Sequence, residues 1–447
     1  MKKVIILVLV AGVLLLFTAC SSEDSNGGEG NNQPNESESN KDENNDTQTT
    51  STEKEAEKAG PFDPNGNIGD FLEGDYDPTA IHPIDTNWTR QSRFAGPQKP
   101  EVLWSLEIVE KYTGDPEKSI PVIGADGTIY IVTNMHDEEA DGLYAIASDG
   151  ELKWKSTNFH EELDMHAGDY QRPAPAITAD GDIWVHLNND LFALFDGDNG
   201  DLKDSFAWET NLGVPADPFV LGADDTFYID NGGMLGSLKS DESVNWELGD
   251  TSNDSEYLFY GHPAVASDGT VYGIEEEAFY ALDEKGDIKW EDDIDTFTAY
   301  SNIQIDKDGN VYFVLDNNIV SYSKDGEKRW EQDVESDYTG EYGGLILTND
   351  GNLISLFENG LHAVDLDGNE QWHYQSEEMG YSDIIADSEG TVYFRSWDEI
   401  YAVDSSGELK WNFRPEKASE FSNMVLAPDR TLYLFDNTGT VYAIGEE

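Results

Sequence analysis

The stretch that decides the fold runs Pro263-Ala264-Val265-Ala266-Ser267-Asp268-Gly269-Thr270-Val271-Tyr272, continues through Phe279-Tyr280-Ala281-Leu282-Asp283, and closes on Gly286-Asp287-Ile288-Lys289-Trp290. It holds four short apolar runs of strand type separated by turn residues, and the Asp-Gly pair is a hairpin signal because Gly readily takes positive φ. The same unit recurs along the chain. Its first turn stands at Gly127, Gly181, Asp225, Gly269, Gly309, Gly351, Gly390 and Arg430, and its closing tryptophan at Trp104, Trp154, Trp208, Trp246, Trp290, Trp330, Trp372 and Trp411. Units of this size are four-stranded blades, so the expectation is an all-β, eight-bladed β-propeller. Two units are irregular: Trp208 falls late, and Glu242 replaces the turn Gly.

The phase of the repeat says how the ring closes. Trp104 precedes the first Asp-Gly turn, whereas the chain ends after a third strand, Val441-Tyr442-Ala443-Ile444. Placing the strand near Trp104 in the last blade removes both raw edges at once. The units resemble the PQQ-type (quinoprotein-like) propeller repeat, at Ala281/Asp283/Gly286/Trp290, Ala363/Asp365/Gly368/Trp372 and Ala402/Asp404/Gly407/Trp411. The lead-in, with Trp88, Gly96-Pro97 and Pro100, is similar to that of bacterial lipoprotein members. The usual family turn is one residue longer and carries Thr before its Gly, which these three units lack.

Met1-Lys2-Lys3 and the apolar run Val4–Phe17 read as a secretory signal, and Leu16-Phe17-Thr18-Ala19-Cys20 resembles a lipobox with Phe17 at an unusual place. The expected organisation is a signal peptide (1–19), a lipidated Cys20 with an acidic disordered tether (20–60), a lead-in (61–100) and the propeller (101–447). Diacylglycerol at Cys20 would hold the body on the outer face of a bacterial cytoplasmic membrane or another envelope membrane. The net charge is −66, with 92 acidic and 26 basic residues, and only a small part of the surplus lies in the tether. Such a body is repelled by nucleic acid. Surplus carboxylates ordinarily serve solubility, here in a saline or alkaline exterior; the rival reading is binding of a cation or a cationic partner.

Chemistry is sparse. The resemblance extends to quinone dehydrogenases that hold PQQ with calcium, a vicinal disulfide and a catalytic Asp, and a chain whose one cysteine is Cys20 cannot form that disulfide. A non-enzyme without a cofactor is expected. Asp196-Gly197-Asp198-Asn199-Gly200-Asp201 has its Gly one place early for an EF-hand and Ala207 where the closing Glu belongs, so it reads as a hairpin turn. His136, His160, Asp164 and His166 sit among carboxylates as weak metal candidates, a solvated acidic loop being the ordinary reading. His262 and His362 read as core or channel histidines. Tyr260, Tyr300, Tyr342, Tyr381 and Phe421 share one position, at the start of the innermost strand, where two earlier blades have Lys118 and Arg172. These rings either form a platform at the channel mouth or pack between blades. The functional expectation is a non-catalytic scaffold holding a protein or polymer at the envelope; a small-ligand or cation sensor at the mouth is the alternative, and a PQQ enzyme comes third.

Overall fold

The computed structural model describes residues 91–446 apart from the segments 109–120, 134–141, 158–174 except Leu163, 208–218, 250–262, 295–301, 335–343 and 377–383, and scattered turn residues. Residues 1–90, and with them Cys20, the signal segment and the tether, lie outside the described residues. The described strands form eight four-stranded antiparallel sheets, the blades of a propeller. Blade one is β2 (Val122–Ile123), β3 (Ile129–Thr133), β4 (Gly142–Ile146) and β5 (Leu152–Ser156). Six more follow in chain order. Blade eight takes β30 (Val425–Leu426), β31 (Leu432–Phe435) and β32 (Thr440–Gly445) from the C-terminal end, and β1 (Glu101–Glu107) from the N-terminal one. The register of that junction runs from Glu101↔Gly445 to Glu107↔Thr440, as the phase of the repeat predicts.

Every residue of β3 and β4 is buried, whereas β1, an outer strand, alternates exposed and half-buried residues. A central strand pressed between neighbouring blades has no wet face, so it loses the period-2 polarity of a half-exposed strand. The core is therefore a set of seams between blades. Phe279 of blade four meets Phe313 and Tyr322 of blade five at ring distances of 4.6 and 5.3 Å. Full burial of such a ring contributes roughly 1.5–3 kcal/mol.

A second device joins the blades at their rims. The outer-strand tryptophan of one blade lies over a glycine in the third turn of the next: Trp104 on Gly150, Trp154 on Gly200, Trp246 on Gly286, Trp290 on Gly326, Trp330 on Gly368 and Trp372 on Gly407. All six glycines have positive φ. A Cβ at Gly286 would sit 2.4 Å from the Trp246 ring, so this position admits Gly for space as well as for φ. Four of the indoles also donate Nε1–H to a carbonyl of that turn: Trp104 to Ser148 at 2.8 Å, Trp154 to Gly197 at 3.1 Å, Trp290 to Lys324 and Trp330 to Leu366, both at 2.9 Å.

Two seams lack this clasp, each for a visible reason. Register places Asp204, opposite Leu194, where the other blades have Trp, which corrects the assignment of Trp208 to the repeat set. Trp208 follows the end of β9 (Leu202–Ala207) and lies outside the described residues. The matching Gly is absent as well, since Glu242 stands in that turn. Partner and platform are lost together, and Trp184, Phe192, Phe206, Phe219 and Phe227 fill the seam between blades two and three with a cluster of rings. At the seam between blades seven and eight no third turn exists, because β32 and β1 come from opposite ends of the chain. Here Trp411 donates to the Pro97 carbonyl at 2.9 Å, so the lead-in takes the place of the missing turn. Glu446 accepts from the backbone N–H groups of Gln98 and Lys99, and the buried Asp387 carboxylate accepts from Gly96 N at 2.9 Å.

Candidate binding face

Antiparallel alternation puts the first and third turns of every blade, together with the lead-in, on one face. The second turns and the connections between blades share the other. Among the aromatic positions chosen from sequence, Phe421 is described, and it is fully buried. It belongs to the buried cluster that joins blade seven to blade eight and meets Tyr442 edge-on at 5.7 Å. This ring is seam packing, with no surface to offer a ligand. Tyr260, Tyr300, Tyr342, Tyr381, Lys118 and Arg172 lie outside the described residues, as do His136, His160, Asp164, His166 and His262.

The Phe421 N–H donates to the carbonyl of Trp397 at 2.9 Å, and Trp397 is exposed. It has 57% of its surface exposed, the most among the described exposed large apolar residues. It stands with Asp398 in the two-residue turn between β27 (Val392–Ser396) and β28 (Glu399–Val403). Its φ is +52°, while Asp398 keeps negative φ, the pattern of a turn whose first central residue is ordinarily Gly. Asp398 pairs with Arg414, and Glu399 accepts from Tyr401 and Asn412. Two residues before the turn pair, Arg395 is buried; register sets it opposite Ile400, on the side of the blade that faces blade eight. Sequence reading passed Trp397 over because it is outside the repeat; a Trp in a two-residue turn between strand runs was the available signal.

His362 is a core histidine, as expected. It stacks on His373 across the strands of blade six at 3.9 Å, and its Nε2 meets Asn359 Oδ1 at 2.8 Å. Burial, and next the neighbouring His373, push its pKa down to about 4. The Asp196–Asp201 segment forms the expected turn, with Asp196 and Asn199 side chains accepting from backbone N–H groups two residues on.

Among the described residues, four lysines are spent on their own blades. Lys153 reaches Asp126 at 2.9 Å and Thr128 at 2.8 Å, Lys203 reaches Asp182 at 2.6 Å, Lys289 reaches Thr270 at 2.6 Å and Lys410 reaches Thr391 at 3.1 Å. Each staples an outer strand to the first turn of its own blade. Burial pulls the Asp126 carboxyl upward, but hydrogen bonds from Thr128 and Lys153 outweigh it and hold the pKa below the ordinary value.

Among the described residues no three His, Cys, Asp or Glu side chains converge as a metal site. With one cysteine in the chain, a vicinal disulfide cannot form.

The family model PQQ_2, described as outer membrane protein assembly factor BamB, matches residues 207–447. Uncharacterized protein YxaL of Bacillus subtilis (strain 168) is 34% identical over 97 residues, which span 22% of this chain and 22% of that protein. Among solved structures, BamB from Moraxella catarrhalis overlays with a TM-score of 0.55 at 13% identity, covering 78% of this chain and 98% of that one. A europium-containing methanol dehydrogenase overlays with a TM-score of 0.62 at 10% identity, covering 85% of this chain and 100% of that one. An assembly factor and a dehydrogenase share the fold, so the fold alone does not choose between binding and catalysis.

Proposed function

We propose, on the premise that this chain belongs to the PQQ_2 family of BamB-like propellers, that it is a non-catalytic scaffold of the bacterial cell envelope. It holds a protein or polymer partner on the face of second turns and connections. The observation that carries the reading is the family match, which spans blades three to seven and the three C-terminal strands of blade eight and bears the description of an assembly factor. Two further points support it. The described polar groups serve turns, staples and seams instead of converging on one reacting position. The lipobox-like Leu16–Cys20 would place the body on the outer side of the cytoplasmic membrane, with Cys20 lipidated.

Crosslinking of the full-length chain in native membranes, followed by mass spectrometry, tests this. Reproducible crosslinks from second-turn or connection residues to one partner are expected. Crosslinks confined to the opposite face, or none above the background of a lipoprotein of equal charge, overturn the scaffold reading. Addition of PQQ and calcium to the purified protein is expected to leave dye reduction at the buffer rate; a quinone-dependent rate would make it an enzyme.

A further inference from the structure

We infer that Trp397 is the anchor of the partner surface, and that it takes a Lys- or Arg-bearing segment of a protein partner. The inference rests on the scaffold reading and adds to it the contact residue and the partner's chemistry.

Three observations converge on this residue. The first is exposure: Trp397 shows more than half its surface to solvent, and no ring stacks on it among the described residues. Single exposed apolar residues are ordinary, so exposure alone would carry nothing. The second is backbone conformation. Trp397 has φ +52° at a turn position that suits Gly, where an L side chain costs on the order of 1–2 kcal/mol. Gly would relieve that cost and remove an exposed ring. A large apolar side chain kept where folding disfavours it is the kind of strain that points to function. The third is the mounting. The Trp397 carbonyl accepts from Phe421 N at 2.9 Å, and Phe421 is locked in the seam between blades seven and eight. The Asp398–Arg414 pair holds the other turn residue. The indole is thus presented from a rigid rim, which keeps the entropy cost of binding low.

The charge of the molecule selects the occupant. A net charge of −66 repels an acidic segment and steers a basic one. Along the chain Trp397 is followed directly by Asp398 and Glu399, both partly exposed. Asp398 pairs with Arg414, and Glu399 accepts from Tyr401 and Asn412, so both carboxylates are held at this turn, each oxygen keeping capacity for a further N–H. Trp is the best aromatic face for a guanidinium or ammonium group, within about 6 Å of the ring. The partner segment therefore lays an Arg or Lys over Trp397 and directs its N–H groups at the flanking carboxylates.

Hexa-arginine is the probe, with hexa-glutamate as its control, titrated into the purified protein labelled with 5-fluorotryptophan at low salt. The Trp397 resonance is identified by its loss in Trp397→Gly. Hexa-arginine should shift this resonance before any other, and hexa-glutamate should not. Trp397→Gly should weaken hexa-arginine binding about 5- to 10-fold, in line with one cation–π contact, and Trp397→Tyr should weaken it less. Trp397→Gly should melt no lower than the parent, which separates lost binding from lost folding. Equal binding by parent and Trp397→Gly, or a first shift at another Trp, overturns the inference. That result leaves the scaffold reading standing if membrane crosslinks to a partner persist; absence of those crosslinks removes the scaffold reading whatever the peptide does.

Discussion

A glycine that tolerates positive φ and a tryptophan that needs a flat neighbour account for much of this molecule. Arg430 occupies the first turn of blade eight with φ +70°, where Gly127, Gly181, Gly269, Gly309, Gly351 and Gly390 serve other blades. It is exposed. Arg430→Gly should therefore stabilise the protein, by about 0.5–1 kcal/mol once the extra freedom of Gly in the unfolded chain is subtracted. Chemical denaturation reads this directly, and a loss of stability would assign the Arg430 side chain a contact that outweighs its strain. His362 gives a pH signature. Its folded-state pKa of about 4 lies below the ordinary 6.5, so the unfolded chain binds the proton first. Stability is full above pH 6.5 and falls as the pH drops from 6.5 toward 4. Carboxylates held below their ordinary range, such as Asp126 and Asp268, add their loss lower still. His362→Leu should flatten the melting temperature between pH 6.5 and 4 while leaving the steeper fall below it. An unchanged slope in that window would place the titration elsewhere. At the other end of the chain, Cys20→Ser should move the protein from the membrane fraction to the medium; retention in the membrane would end the lipid-anchor proposal.

At the level of elements, the seams differ in what closes them, and so in what breaks them. Gly286→Ala must place a methyl group against Trp246 and hold φ near +80°, which should cost about 2–3 kcal/mol. The seam between blades two and three has no such glycine. There Phe206→Ala should cost about 3–5 kcal/mol, because Phe206 meets Trp184, Phe192 and Phe227 at 5.5, 4.9 and 5.2 Å. The lead-in is a structural element in the same sense. A Cβ at Gly96 would fall 2.1 Å from the Tyr393 hydroxyl, and Tyr393 shares Asp387 with the Gly96 N–H. Gly96→Ala should thus loosen the seam between blades seven and eight, seen as faster amide exchange at Trp411 Nε1. Unchanged exchange there would mean that the Pro97 carbonyl is held by other contacts.

For the whole molecule the terms are closure and charge. Removing residues 91–108 deletes β1 and the Trp411 acceptor together, leaving blade eight with an open third strand. The melt should broaden and move down, and a truncated body that melts like the full one would argue against a closed ring. The carboxylate surplus should oppose compactness at low ionic strength. Because screening acts over about 10 Å at 0.1 M salt, the melting temperature should rise with sodium chloride, most steeply at the start. Binding of hexa-arginine should move the opposite way and weaken with salt. A flat melting response would mean that the carboxylates are already paired or widely spaced.

The repeat was legible residue by residue. Asp-Gly turns, paired apolar runs and the closing Trp each have a local physical cause, and their phase implied that β1 completes blade eight. The charge was also read from the chain alone, since a carboxylate surplus is a matter of composition. What a side chain faces was not local. Phe421 shares its position with four tyrosines, but whether that position looks into a channel or a seam depends on the neighbouring blade, and the cluster joining blades seven and eight is what encloses it. Trp208 counted as a repeat residue by spacing, and only cross-strand register put Asp204 in its place. The same holds for the acceptor of Trp411: Pro97 lies 314 positions away in the chain. Turn type and alternation are properties of a few adjacent residues, whereas a seam, a clasp or an exposed Trp397 exists only after the ring has closed.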